Sequence, residues 1–453
     1  MLPSRAAPPM KSTPAKLLLS LLLLVLGFGY GFLCAKRKLF PYTLLQSLAG
    51  KSAPAAPKGP GAEGPMKTGW WVPTNEREAE ITQDLGALGY SQSYGAQSDE
   101  FGVTVFDEEH TQPGWNLVVS AHEPTVLLTD LEGKELHRWH FEFKDVPPSP
   151  DFTPDGSFGT RYFRRAALLP DGGLVVIFDR TAILEIDHDS KLRWSLLGGY
   201  HHDLEIADDG TIWTLRHDVH VVPRIHPTIP VFEDFVTRIS PDGKVLAEDS
   251  LLEAIERSPY ASLLETLDPT ERADLFHTNT IEVFDGHLAS LSPLFAKGNV
   301  LVSLWGLDTI AIVGPPAEGE KPEVLFALTG LWHRQHQPTL LEDGRMLVFD
   351  NMAPDGYSRV IELDPFTQKI AWEYDGDEEN GFKSELCGSN QRLANGNTLI
   401  TESLSGRAFE VTPAGDVVWR YLSPFRVELP GTGEKGVAVL MEVVRVPETA
   451  GAD

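Results

Sequence analysis

Cysteine is almost missing from the sequence: only Cys34 and Cys387 occur among 453 residues. Because Cys34 lies in an apolar N-terminal stretch, no disulfide bond is available within the main domain. Hydrophobic residues make up 42% of the chain, which is enough for one large domain with a substantial core. Domains outside the cytoplasm often lack disulfides, so the cysteine count leaves the compartment open.

Basic residues are also few. The sequence has 38 lysines and arginines against 65 aspartates and glutamates, which gives a formal net charge of −27. Nucleic acids are bound by clustered cations, so this balance argues against nucleic acid as a partner. The strong negative charge favours solubility.

Charged residues are absent from residues 17–35, which form 19 consecutive uncharged, mostly apolar positions. This is close to the length that a helix needs to cross a bilayer. A cleaved signal peptide would end in small residues followed by a neutral region, whereas this stretch runs directly into Lys36, Arg37 and Lys38. We therefore predict an uncleaved transmembrane helix within an N-terminal membrane anchor, residues 1–38. Lysine and arginine flank both ends, so the positive-inside rule does not fix its orientation.

The next segment, residues 39–74, is rich in proline, alanine and glycine and has no periodicity that could build a core. It is typical of a linker between membrane and domain. We assign residues 75–453 to the main domain and expect a short helix at 75–90.

Glycine and proline are abundant, at 40 and 34 residues, as expected for many short strands joined by tight turns. A polar turn that ends in glycine recurs before apolar runs, at Asp171-Gly172, Asp209-Gly210, Asp285-Gly286, Asp343-Gly344 and Asn395-Gly396. A second strand pair, often ending in tryptophan, follows at 128–139, 184–194, 361–372 and 409–419.

Two hairpins per repeat give four strands, which is the pattern of β-propeller blades stacked around an axis. We predict an all-β fold, a six-bladed β-propeller, with blades near 102–141, 164–196, 201–248, 277–328, 334–374 and 387–421. A β-sandwich with irregular hairpins is the alternative, and the six matched repeats argue against it. A short helical insertion is expected at 249–276, where it could cap one face. The apolar run 437–446 is expected to pair with an edge strand and help close the ring.

Aligning the blades by their turns brings one position of each innermost strand close to the axis. Seven residues before each turn stand Arg164, His202, Thr278, His336 and Gly388, and His277 adjoins Thr278. Arginine and histidine that converge on an axis suit an anion, because both donate hydrogen bonds and imidazole also acts as acid, base or nucleophile. Two other interpretations stay open: hydrogen bonds that tie neighbouring blades together, and a metal ion bound by the three histidines.

Several further residues are weaker candidates. His201 and His333 could line the same mouth, although strand alternation points His201 elsewhere. Asp350 and Asn351 end a strand and could orient a residue of the funnel. Cys387 near the axis is an alternative nucleophile, or a buried inert thiol. The tryptophans are expected to pack between blades, at positions Trp139, Trp194, Trp372 and Trp419.

These motifs together resemble the PAPS-independent arylsulfotransferases over about residues 100–425. The resemblance rests on segments at 102–106, 114–117, 131–139, 201–203, 276–281 (FHTNTI), 335–336, 349–351 and 395–397. It implies transfer of a sulfuryl group from an aryl sulfate ester to a histidine and then to a phenol, with no nucleotide sulfate donor. It also implies an extracytoplasmic, periplasmic placement of the domain.

The alignment of the turns and the resemblance together supply the candidate site. The catalytic candidates are His202, His277 and His336, and the substrate-binding candidates are Arg164, Arg359, Asn279, Ser389 and Asn390. We expect small aryl sulfates or phenols as ligands, no cofactor and no metal ion; whether the protein also has a protein partner stays open.

The sequence departs from the family at the last blade. The histidine that becomes sulfated in the bacterial enzymes comes late, whereas here the last blade begins Cys387-Gly388-Ser389-Asn390 and no histidine follows His336. The nucleophile would then be one of the three candidate histidines. The rival interpretation is a non-catalytic, membrane-anchored propeller that binds an anionic ligand or a protein partner.

Overall fold

The computed structural model describes residues 100–150, 152, 158–270, 272–315, 317, 319–378, 380–428 and 435–448. All of these belong to one compact unit. The anchor expected at 1–38, the linker expected at 39–74 and the helix expected at 75–90 lie outside the described residues, and remain predictions. In the part of the chain described, we find no helix with both the length and the apolar character to span a bilayer.

Short strands connected by tight turns make up most of the described chain. The strands of its first half are β1 (Gly102–Phe106), β2 (Trp115–Ser120), β3 (Thr125–Thr129), β4 (Glu135–His140), β5 (Phe163–Leu168), β6 (Leu174–Phe178), β7 (Ala182–Ile186), β8 (Leu192–Leu197), β9 (Gly199–Ile206), β10 (Ile212–Val221), β11 (Pro230–Ile239) and β12 (Val245–Ser250). The strands of its second half are β13 (Thr278–Val283), β14 (Val300–Leu304), β15 (Thr309–Gly314), β16 (Glu323–Thr329), β17 (His336–Leu340), β18 (Met346–Asp350), β19 (Arg359–Leu363), β20 (Ile370–Asp375), β21 (Ser389–Arg392), β22 (Thr398–Glu402), β23 (Arg407–Val411), β24 (Val417–Leu422), β25 (Arg426–Glu428), β26 (Lys435–Val437) and β27 (Leu440–Val446).

The strand order confirms the six-bladed β-propeller. Among the described residues, six antiparallel sheets form the blades, in the orders β27-β2-β3-β4, β5-β6-β7-β8, β9-β10-β11-β12, β13-β14-β15-β16, β17-β18-β19-β20 and β21-β22-β23-β24-β1. We number them blades 1 to 6. The innermost strands contact their neighbours from blade to blade and close the ring from β27 back to β5. Strands β25 and β26 form a separate hairpin.

The two ends of the propeller domain are exchanged between neighbouring blades. Strand β27 pairs with β2, with Leu117 opposite Val444, and so supplies the innermost strand of blade 1. The expectation that 437–446 pairs with an edge strand is confirmed. The expected start of blade 1 at residue 102 is wrong, because β1 pairs with β24 as the outermost strand of blade 6, with Phe106 opposite Trp419. Neither blade is complete without the other end of the domain.

Tryptophan side chains join neighbouring blades, as expected. Each indole Nε1–H donates to a backbone carbonyl in a turn of the next blade: Trp139 to Gly172 (3.1 Å), Trp194 to Pro241 (3.1 Å), Trp372 to Pro413 (3.0 Å) and Trp419 to Leu131 (2.8 Å). Buried apolar side chains fill the space between the sheets. The site described below is therefore carried on rigid, closely packed elements.

Helix occurs in short pieces. Helix α1 (Leu251–Arg257) begins at Ser250, whose side chain accepts a hydrogen bond from the Glu253 amide. Its buried face packs on β11 and β16, so the insertion predicted at 249–276 is helical and lies against blades 3 and 4. The described 3₁₀ helices are Phe143–Asp145, Phe158–Arg161, Ala261–Thr266, Pro293–Phe295 and Trp305–Leu307.

Candidate active site

The innermost strands of blades 2 to 5 share an irregularity where they begin. Each gains extra residues relative to its neighbouring strand, and these β-bulges include Arg164 in β5, His202 in β9, Asn279 in β13 and Gln337 in β17. A bulge breaks strand alternation and redirects the side chain that it carries. The bulges contain the aligned positions Arg164 and His202, whereas in blades 4 and 5 the aligned Thr278 and His336 immediately precede the bulged residue.

Left-handed backbone accompanies the bulges. His202 has a φ of 57°, His277 of 47°, Gln337 of 45° and Cys387 of 56°. Side-chain-bearing residues adopt such angles rarely, at a cost on the order of 1–3 kcal/mol each, and they cluster where function requires a particular side-chain direction. Two of these strained residues are candidate histidines themselves, and Gln337 directly follows a third, His336.

His277 is held by a carboxylate. Its Nδ1 lies 2.6 Å from Oδ2 of Asp274, and its backbone N–H donates to Oδ1 of the same side chain at 3.1 Å. Asp274 comes at the end of the helical insertion, which a parallel bridge fastens to Phe232 of β11. Burial raises the pKa of Asp274, but the charge and hydrogen bond of His277 outweigh it and hold that pKa below its usual value. In the neutral form of the ring, the ionised carboxylate accepts the Nδ1 proton and Nε2 of His277 keeps its lone pair.

His202, in blade 3, lies next to His277, which precedes the first strand of blade 4. The two rings meet edge to face, with centroids 4.7 Å apart. Nδ1 of His202 lies 2.8 Å from Nδ1 of His201, so one of these two nitrogens carries the shared proton. Burial is the main cause that holds the pKa of His202 well below its usual value, and the positive charges of protonated His277 and of Arg164 add to it. The ring is therefore neutral.

His336 completes the set from blade 5. Its Nδ1 lies 2.8 Å from Oδ1 of Asn351 and 3.1 Å from the Arg334 carbonyl, and both partners accept, so Nδ1 carries the proton. Asn351 is oriented because its amide donates to the Ser384 carbonyl at 2.6 Å. Burial lowers the pKa of His336 to about 3. A neutral ring with Nε2 as its lone-pair nitrogen results.

Arg164 brings a permanent positive charge to these rings. Its side chain is buried, and its charge depresses the pKa values of both His202 and His336. We call Arg164, His202, His277 and His336 the funnel residues. Four successive blades thus present one cation and three imidazoles to a common region, which suits a compact anion.

Two of the predicted substrate-binding residues link blades. The amide of Asn279 donates to the Gln335 carbonyl of blade 5 at 2.9 Å, and the amide of Asn390 donates to the Gln337 carbonyl at 3.0 Å. The buried Oδ1 of Asn390 has no hydrogen-bond partner among the described residues. Ser389 and Asn390 also line a cavity of about 780 Å³, but none of the funnel residues lines it. Interblade contact is therefore the interpretation that the structure supports for Asn390.

Two candidates are placed away from the funnel residues. Arg359 begins β19, the third strand of blade 5, where its Nε donates to Asp350 at 2.9 Å and its Nη2 to the Leu331 carbonyl at 3.0 Å. Its contacts are those of a buried structural arginine. Cys387 is 3% exposed, and its backbone carbonyl accepts a hydrogen bond from Asn351.

Sequence reasoning missed the residues behind the funnel. Asp274 could have been found from its position three residues before His277. Asp234 lies on the long strand β11, where its Oδ2 accepts from the backbone and hydroxyl of Thr278, at 3.0 and 2.6 Å. His217 of β10 stacks on His201, with ring centroids 4.7 Å apart. No local sequence signal marks either of these two as functional.

Comparison with known proteins identifies a family. A family model described as arylsulfotransferase (ASST) matches residues 165–424, more than half of the chain. The chain belongs to the arylsulfotransferase family. The match includes His202, His277 and His336, and it ends before the C-terminal strand that closes the ring.

Solved structures similar to this arylsulfotransferase-family chain are distant. A protein of unknown function from Bacteroides caccae is 13% identical, with 68% of this chain and 93% of that chain covered and a TM-score of 0.46. A streptogramin B lyase is 11% identical, with 78% and 97% covered and a TM-score of 0.42. The Dos1 propeller is 10% identical, with 71% and 76% covered and a TM-score of 0.37. No curated protein matches the chain.

Proposed function

We propose that this protein transfers a sulfuryl group from an aryl sulfate ester to a phenol, with His277 as the covalent nucleophile. Family membership supports a sulfotransferase-like function. The observation that carries the proposal is the buried pair of Asp274 and His277, 2.6 Å apart, beside the neutral ring of His202. A carboxylate on Nδ1 leaves Nε2 with its lone pair and stabilises the positive charge that the ring gains on attack.

The first step forms a bond from Nε2 of His277 to sulfur and breaks the bond from sulfur to the aryl oxygen. The aryl oxygen keeps that electron pair and leaves as a phenolate. Arg164 stabilises the negative oxygens of the transferring group, and Asp274 offsets the charge on the sulfated ring.

The second step reverses the first with a different phenol. Nε2 of His336, kept neutral by burial, accepts the proton of the incoming phenol as its oxygen attacks sulfur. The bond from sulfur to His277 breaks and restores the neutral ring. His336 then releases its proton to solvent, which balances the phenolate that left the donor in the first step.

The test is transfer from 4-nitrophenyl sulfate to phenol by the purified full-length chain. We expect release of nitrophenolate with wild type, and losses of at least about 10³-fold in kcat for His277→Ala and about 10²-fold for His336→Ala. His287→Ala, which removes an exposed histidine bound to Asp285, is the matched control. A ³⁵S-labelled donor without acceptor should label the peptide that contains His277. Label on His202 instead would contradict the assigned nucleophile.

A second candidate function has one observation in its favour. The innermost strand of blade 6, Ser389–Arg392, contains no histidine, as a non-catalytic anion-binding propeller could. In that case the folded protein binds 4-nitrophenyl sulfate by calorimetry without turnover. Arg164→Gln would then reduce binding by about 10-fold or more.

We also propose that residues 1–38 anchor the protein in a membrane and that the propeller lies outside the cytoplasm. The uncharged stretch 17–35 supports this placement. Protease added to intact spheroplasts should digest the propeller. Protection of the propeller until the membrane is opened would overturn the proposal.

A further inference from the structure

Three buried side chains lie directly behind His202. They are His201 (2% exposed), His217 (7%) and Asp234 (1%), and we call them the rear cluster. One nitrogen or oxygen from each lies within 4.8 Å of the other two. They come from β9, β10 and β11, consecutive strands of blade 3, so one rigid sheet positions all three.

Two polar atoms of the rear cluster, one on His201 and one on Asp234, lack the hydrogen bonds that burial demands. Nε2 of His201 and Oδ1 of Asp234 have no hydrogen-bond partner among the described residues, although both are buried. They face each other at 3.7 Å, which is too long for a hydrogen bond. Unsatisfied buried groups of this kind cost about 1–3 kcal/mol each and need an explanation.

A metal ion satisfies both atoms. Zinc binds imidazole nitrogen and carboxylate oxygen at about 2.0–2.2 Å, so two ligand atoms of a tetrahedral site lie about 3.3 Å apart. The separation of 3.7 Å between His201 Nε2 and Asp234 Oδ1 is close to that value. The second oxygen of Asp234 is held by Thr278, which fixes the carboxylate with one oxygen directed at the cluster.

The surrounding charges also favour a cation. The groups that act on the rear cluster electrostatically include the carboxylates of Asp234 and Asp274 and the guanidinium of Arg180. Burial favours the uncharged form of the Asp234 carboxyl, so a divalent ion would displace its proton on binding, and the Asp274 carboxylate would offset part of the charge of the ion.

We propose that the rear cluster binds one divalent transition-metal ion, with zinc the best fit, through His201 Nε2, His217 and Asp234 Oδ1. This departs from the sequence-based expectation of no metal. Histidine and a carboxylate in such a set suit zinc better than magnesium or calcium, which prefer oxygen ligands alone.

The ion would act on the funnel through His201. Metal on Nε2 puts the proton of His201 on Nδ1, where it is donated to Nδ1 of His202 at 2.8 Å. His202 then carries its own proton on Nε2. The rear cluster would thus fix which nitrogen of His202 bears a proton, without itself touching a substrate. His201 and the ion are in this sense positioning groups.

The experiment measures metal binding directly and does not assay sulfuryl transfer. A negative result would therefore count against the metal site alone and not against the proposed function. The full-length chain, made without a polyhistidine tag, is stripped with a chelator and titrated with Zn²⁺ against a chromogenic competitor. Titration with Co²⁺ adds the visible absorption of a four-coordinate site. Single substitutions then test each ligand in turn. All fourteen histidines of the sequence follow residue 100.

We expect one equivalent of Zn²⁺ with a Kd below about 1 μM, and weakening of at least about 100-fold in His217→Gln and in Asp234→Asn. His220→Gln is the matched control on the same strand, because His220 is partly exposed and bonds to Glu233. His277→Ala should bind metal like wild type. Circular dichroism and thermal melting of each stripped variant verify the fold.

Two results would overturn the proposal. One is wild-type binding weaker than about 100 μM. The other is equal affinity in wild type and in folded His217→Gln, which would place the ion elsewhere. If His217→Gln does not fold, Asp234→Asn and the Co²⁺ spectrum of wild type decide in the same way.

Discussion

Asp274 and His277 lie three residues apart and share a buried hydrogen bond of 2.6 Å. The pair joins two parts of the chain with different roles, because Asp274 lies at the end of the helical insertion and His277 immediately precedes the innermost strand of blade 4. The insertion therefore supplies the carboxylate that orients the proposed nucleophile.

Asp274→Asn should lower kcat by about 10²-fold or more and leave KM within a few-fold. An asparagine of the same size can donate to Nδ1 and so move the proton of His277 onto the reacting nitrogen. Steady-state transfer from 4-nitrophenyl sulfate measures the effect. Asp285→Asn, at an exposed turn, should leave both constants unchanged; equal kcat in the two variants would refute a role for the pair.

Arg165→Met should destabilise the fold by about 3–5 kcal/mol, because it leaves two buried carboxylates without a cation. Nε of Arg165 lies 2.7 Å from Asp203 of blade 3, and its Nη1 contacts Glu442 of blade 1. Urea unfolding measures the change. Arg193→Met breaks a more exposed pair of ion contacts, at 35% exposure of the arginine, and should cost about 1 kcal/mol or less. Similar costs for the two variants would contradict the importance of burial.

Ending the chain at residue 434 should abolish the cooperative thermal transition, because β2 loses its innermost partner and the apolar face of blade 1 is exposed. Differential scanning calorimetry measures the transition. A chain that ends at Glu448 keeps β27 and should melt like the full-length protein. An unchanged melting temperature for the shorter chain would show that the ring is stable without this strand.

Glu205→Gln should reduce the loss of stability as pH rises. Burial raises the pKa of Glu205 from 4.5 to about 7. Since the folded pKa is above the unfolded one, this group's stabilising contribution is full below about pH 4.5 and is lost as pH rises through about 7. The decline in the free energy of unfolding between pH 5 and 8 should be smaller in Glu205→Gln than in wild type, by at most about 3 kcal/mol. Urea unfolding at both pH values measures it, with exposed Glu132→Gln as control. Parallel curves for wild type and Glu205→Gln would exclude the effect.

Much of the fold follows from local chemistry in the sequence. Turns such as Asp343-Gly344 require a left-handed residue, and Gly344 has a φ of 82°. The recurrence of these turns, together with the strand pairs that often end in tryptophan, predicted the number of blades. The partners of the terminal strands could not be predicted, because β1 and β27 pair with strands hundreds of residues away and strand periodicity does not name a partner.

The site was predictable where it depends on the repeat. Counting back from each turn identified Arg164 and His202, which lie in bulges, and His336, which immediately precedes one. The groups behind them were not predictable. Asp234 and His217 reach the site only through the packing of β10 and β11, and nothing in their local sequence distinguishes them from ordinary strand residues.

Because β27 completes blade 1 and β1 completes blade 6, the ring cannot close until β27 has been synthesised. Blades 2 to 5 can pair their strands as they leave the ribosome, but two blade edges stay unsatisfied until release. Premature termination anywhere before residue 440 therefore yields a chain with an open ring, a candidate for chaperone binding or degradation. The propeller can therefore close only in chains that have been translated through β27.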